Sequence, residues 1–82
     1  MEGLHKILGG AMEAVEFTAT NATHFLNTPL RDLQLRQGLL VAAIVHENKV
    51  LIPRGDSEIH VGDRIIVVAK SLFLQDLNDI LE

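Results

Sequence analysis

Ser57, His60 and Asp63 lie in one short stretch and carry the side-chain types of a nucleophile, a base and an orienting carboxylate. Acyl transfer would also need donors for the oxyanion and a scaffold that aims the three groups. A single polar loop offers neither, so no catalytic residue is assigned and the chain is not read as an enzyme. Glu13 and Glu16 are close in sequence but fall on opposite faces of a strand, which disfavours a paired-carboxylate site. The four histidines (His5, His24, His46 and His60) show no i,i+3 or i,i+4 pair, and cysteine is absent. No metal site and no disulfide are therefore expected. Arg54-Gly55-Asp56 matches a cell-adhesion tripeptide, but reads more simply as a turn with a basic flank. A binding reading has more support. His46, Lys49 and Arg54 border an apolar stretch that includes Ile44, Leu51 and Ile52. Cations beside an apolar groove suit an anionic small molecule, and the arginine fork suits phosphate oxygens.

These residues must be carried by a small, aliphatic fold. The chain has 82 residues, enough for one domain, and a chain this short buries a modest share of its surface alone. Hydrophobic residues make up 48% of it but only three are aromatic, all phenylalanine. The net charge is −4 with histidines neutral, so neither a basic face nor stacking aromatics point to nucleic acid. No apolar run approaches the roughly 20 residues of a membrane-spanning helix. Gly9-Gly10 interrupts the first apolar stretch before it resembles a signal peptide. A soluble, cytoplasmic domain is expected.

Leu4, Ile7 and Leu8 stand at helical spacing, so residues 1–10 read as the tail of a linker helix from an upstream domain, and residues 11–82 as the domain itself. Ala14–Ala19 reads as a strand. Thr28-Pro29 has the form of a helix start, with Leu30 and Leu33 on the buried side. Leu39–Val45 is too apolar to be one-faced and predicts a central strand. His46-Glu47-Asn48-Lys49 then predicts a turn, with Asn48 in the left-handed region and Val50-Leu51-Ile52 as the returning strand. Ile59 reads as a bridge or short edge strand and Ile65–Ala69 as the last strand. Ser71 would cap a closing helix whose stripe is Leu74, Leu77, Ile80 and Leu81. The predicted class is α+β: a small βαβββα-type domain with a mainly antiparallel curled sheet and two helices.

Five pieces in order carry a family resemblance: Pro29-Leu30-Arg31-Asp32-Leu33, Leu40-Val41-Ala42-Ala43-Ile44, His46, Leu51-Ile52-Pro53-Arg54-Gly55-Asp56 and Gly62-Asp63-Arg64-Ile65. Together they resemble the C-terminal (TrkA-C) regulatory domain of the RCK family, over roughly Ala11 to Leu81. The resemblance implies a homodimer that follows a Rossmann-type domain and controls a membrane potassium transporter subunit by sensing a ligand. It implies no cofactor and no nucleic-acid partner. As regulatory ligand it implies cyclic di-AMP, held at the dimer two-fold by Ile44, Val45, His46, Val50, Leu51 and Ile52, with Arg54 adding charge. His46 stands where relatives usually carry arginine, and Arg36 where many carry proline. The competing expectation is a ligand-free dimerisation or packing module of another transporter or regulator.

Overall fold

The computed structural model describes residues 1–70 and 73–82. Five strands form one sheet: β1 (Gly3–Ile7), β2 (Met12–Thr18), β3 (Leu39–His46), β4 (Lys49–Leu51) and β5 (Arg64–Lys70). Their spatial order is β1-β2-β5-β3-β4, and every neighbouring pair is antiparallel. Alternation decides the faces. Val15 and Phe17 of β2, Val41 and Ile44 of β3, and Ile65, Val67 and Ala69 of β5 are buried on one side. The register skips between Val41 and Ala43, a bulge in β3. The extra residue lets both Val41 and Ile44 face inward although they are three apart, which strict alternation would forbid.

The inner face is covered by irregular chain. Phe25, Ile59, Leu74, Leu77 and Ile80 are all buried against it. Among the described residues there is no α-helix, only single 3-10 turns at Leu8–Gly10, Leu30–Asp32 and Leu77–Ile80. This overturns the α+β expectation with its two helices: the domain is an antiparallel sheet closed by loops. The physical reasons are local. At Leu30, the turn's amides are taken by another segment, Leu30 N donating to Ser57 O (2.9 Å) and Arg31 N to Gly55 O (2.9 Å). Leu33 is then extended, and residues 34–36 pair with the chain's end through Arg36 N to Ile80 O (2.9 Å) and Glu82 N to Gln34 O (2.8 Å). A helix nucleus that is not propagated is unstable, so long-range pairing wins. Thr28 does not cap it; its Oγ1 donates to Leu26 O at 3.2 Å.

The closing segment is likewise one turn. Asp76 caps it by accepting from Asn78 N (3.1 Å), and Asp79 Oδ2 accepts from Asp76 N (3.0 Å). Leu77 and Ile80 are buried, whereas Leu81 is extended and bridges Leu35. The Ser71 cap lies outside the described residues. Residues 3–7 are a strand on β2, with Leu4 opposite Val15, where a linker helix was expected. Leu8, Gly9 and Gly10 all have positive φ (52°, 66° and 94°), so the glycines reverse the chain into a hairpin. Ile59 belongs to no strand; it is fully buried in a loop, where its carbonyl accepts from Asn27 N at 2.9 Å. The β3–β4 hairpin follows the sequence reading, with Glu47 and Asn48 both left-handed (φ 49° and 66°) as a two-residue primed turn requires.

Candidate ligand-binding site

The Pro53–Gly55 corner and the Leu30–Asp32 turn are fastened together by the Gly55 and Ser57 carbonyls described above. The corner is tightened from within: Arg54 N donates to Ser57 Oγ (2.8 Å) and Ser57 N to Arg54 O (3.0 Å). Ser57 Oγ is thereby engaged as the acceptor that closes the turn. Between the two segments and the start of β3 lies an open pocket of about 270 Å³. Its lining is Leu30, Leu35, Leu40, Val41, Pro53 and Gly55, flanked by Arg31 and Arg54. Both arginines are exposed and neither makes an ion pair among the described residues. An apolar floor under two uncompensated guanidinium groups can accept a planar ring and an anionic group.

Of the residues expected from the sequence, Arg54 alone lines this pocket. Ile44 points into the core and is only 1% exposed. Val45 lies on the opposite sheet face, paired with Val50 and Arg64. Val50, Leu51 and Ile52 are exposed along the outer hairpin. His46 turns toward Asp63, with Nδ1 at 2.5 Å from Asp63 Oδ1. That hydrogen bond, and then the carboxylate's charge, raise the His46 pKa above its ordinary value. The protonated form of the ring is thus favoured by a carboxylate of the protein itself. Arg31, Leu30, Leu35 and Leu40 also line the pocket and were not among the residues expected from the sequence. Pro29-Leu30-Arg31-Asp32-Leu33 was visible as a motif, but nothing local said that the turn docks on Gly55.

A second cluster surrounds Asp63. This buried carboxylate precedes β5 and accepts from His60 N at 2.9 Å through Oδ2. His60 Nδ1 lies 3.7 Å from the same oxygen, and the His46 and His60 rings are 5.5 Å apart at 56°. On the other sheet face Arg64 donates to Glu16 from Nε (2.8 Å), which lowers the Glu16 pKa.

Comparison with known proteins places this architecture. The TrkA-C domain family matches residues 14–81, most of the chain. The chain belongs to the TrkA-C family. Among curated relatives, a Trk system potassium uptake protein TrkA homolog 2 of Methanosarcina mazei is 37% identical over 71 residues, 87% of this chain and 16% of the relative. The Trk system potassium uptake protein TrkA of Azorhizobium caulinodans is 33% identical over 69 residues, and the TrkA homolog of Archaeoglobus fulgidus 41% over 70. These cover 84% and 85% of this chain but 15% of each relative, so the TrkA-C chain spans about one-sixth or less of the relatives' length. A solved chain described as "Structure of RCK domain with cda" superposes with a TM-score of 0.67 at 26% identity, covering 84% of this chain and 97% of that one. No described helix is long and apolar enough to cross a membrane.

Proposed function

We propose that this TrkA-C domain is a ligand-sensing regulatory module of a Trk-type potassium uptake system, active as a homodimer beside a membrane transporter subunit, in the cytoplasm, and carried by a longer chain with a Rossmann-type domain. The ligand class is an anionic cyclic dinucleotide, with cyclic di-AMP as the specific expectation. The observation that carries this reading is the apolar pocket flanked by Arg31 and Arg54. At about 270 Å³ one pocket is small for a whole dinucleotide, so two copies facing across a two-fold axis would each hold one base and one phosphate. Exposed Leu40, Leu51 and Ile52 offer apolar surface for such an approach. The solved RCK relative described with "cda" favours a small ligand on this fold. Differential affinity for two dimer arrangements worth about 1–3 kcal/mol would bias an attached transporter.

Titration calorimetry with cyclic di-AMP tests this. One ligand per dimer is expected, with affinity falling at least tenfold in Arg31→Ala and in Arg54→Ala (roughly 1.4 kcal/mol per decade). No heat from any cyclic dinucleotide, together with a persistent dimer, would favour the ligand-free packing module. That reading draws on the same exposed hairpin surface.

A further inference from the structure

We propose that His46, His60 and Asp63 form a binding site for a divalent first-row transition metal, of which Zn²⁺ is the natural probe. One donor atom from each of the three lies within 4.8 Å of the others. In a tetrahedral zinc site, donors about 2.0–2.1 Å from the ion stand roughly 3.3 Å from one another. His60 Nδ1 to Asp63 Oδ2 is already near that at 3.7 Å. His46 Nδ1 contacts the carboxylate's other oxygen, Oδ1, at 2.5 Å, so binding one ion requires the His46 ring or the carboxylate to turn until a single oxygen serves both imidazoles; each imidazole is nearly half exposed, which leaves room for such a movement.

The scaffold suits the task. Asp63 is anchored: its side chain is 3% exposed, and it immediately precedes β5, whose first residue, Arg64, pairs with Val45 of β3 just before His46. The short turn closed by Asp63 N on His60 O (3.0 Å) returns His60 to the same spot. Capping the His60 amide requires only Asp63, which leaves the convergence of two imidazoles on that carboxylate unexplained by backbone needs. Further out, Glu47 Oε1 lies 3.9 Å from His46 Nε2 and Glu58 Oε1 3.8 Å from His60 Nε2. These are not hydrogen bonds, but closing by roughly an ångström would let each carboxylate accept from the non-ligating ring nitrogen, the usual device that orients metal-bound histidines. Three carboxylates around two imidazoles also make the locality favourable to a dication. Lys49, opposite His46 in the hairpin, makes no ion pair with the cluster among the described residues. Two imidazoles and one carboxylate select a zinc-like ion over Mg²⁺ or Ca²⁺, which prefer all-oxygen shells. Solvent would supply the fourth ligand. The bound ion would tie the end of β3 to the 60–63 turn that leads into β5.

Chelator-stripped protein titrated with Zn²⁺ by calorimetry, and with Co²⁺ by visible absorption, is the test. One ion per chain is expected, with tetrahedral Co²⁺ bands. His60→Ala and His46→Asn should each weaken Zn²⁺ binding by about tenfold or more. A variant lacking His5 and His24, which lie outside the cluster, should bind as the parent does. Circular dichroism before titration confirms that each variant is folded. Zn²⁺ should also raise the thermal midpoint of the parent but not of His60→Ala. Absence of saturable Zn²⁺ binding, equal affinity in folded His60→Ala, or loss of binding with His5 and His24 would each overturn the proposal. None of these outcomes depends on whether a dinucleotide binds.

Discussion

Asp63 is a buried carboxylate with two polar partners, holding the His60 amide and meeting the His46 ring. Removing the carboxylate leaves a donor without its partner in a partly buried place. Asp63→Ala in metal-free buffer should therefore lose about 1–3 kcal/mol of stability by urea denaturation, and a change below about 0.5 kcal/mol would contradict the role given to it. The Glu16–Arg64 pair makes a different prediction. Glu16 has its pKa lowered in the fold by the Arg64 hydrogen bond, so its stabilising contribution is present above the ordinary value of 4.5 and is lost as pH falls through the lower folded value. Both side chains are accessible, so the effect is small. Glu16→Gln should therefore be slightly less stable than the parent near neutral pH and converge with it in acid, flattening the acid limb, as read from melts between pH 3 and 7 (roughly the range spanning carboxylate titration).

At the scale of elements, the loops of this domain do the work that helices were expected to do. Ile59 shows it: it sits in a loop yet is as buried as Ile65 of β5. Ile59→Ala should cost about 2–5 kcal/mol, the range of a core strand position, whereas a tolerant surface loop would show a few tenths. Equilibrium denaturation separates the two. The β3–β4 turn gives an independent check. Asn48 at φ 66° tolerates the left-handed region, and a β-branched residue does not. Asn48→Val should destabilise by about 1–2 kcal/mol, while Asn48→Gly should be neutral or better. Equal midpoints for the two variants would argue against the primed turn.

For the whole molecule, the surface left open by the sheet is the main consequence. Val50, Leu51 and Ile52 are exposed on a three-residue edge strand and the residue after it, and Leu40 is exposed beside the pocket. An edge with unpaired backbone groups and apolar side chains invites a second chain. Sedimentation over a wide concentration range should show a homodimer, weakened by Val50→Glu or Ile52→Glu. A monomer at every concentration would remove the basis for a two-fold ligand site.

Local chemistry already determined several parts of this protein. The apolar run 39–45, a reversal within 46–49 and the Gly62-Asp63 entry to the last strand follow from side-chain type and spacing, because each depends on neighbours in the chain. The helices did not follow. Thr28-Pro29 and the Leu74–Leu81 stripe satisfy local helix rules, but their amides, carbonyls and leucines are claimed by partners far away in sequence, at 55–57 and across the 34–36 to 80–82 pairing. Secondary-structure preference amounts to tenths of a kcal/mol per residue, which long-range hydrogen bonding and burial readily exceed. The sites obey the same division. Arg54 could be singled out locally as a donor, whereas its companion Arg31 and the meeting of His46, His60 and Asp63 exist only because the sheet register brings separate turns to one place.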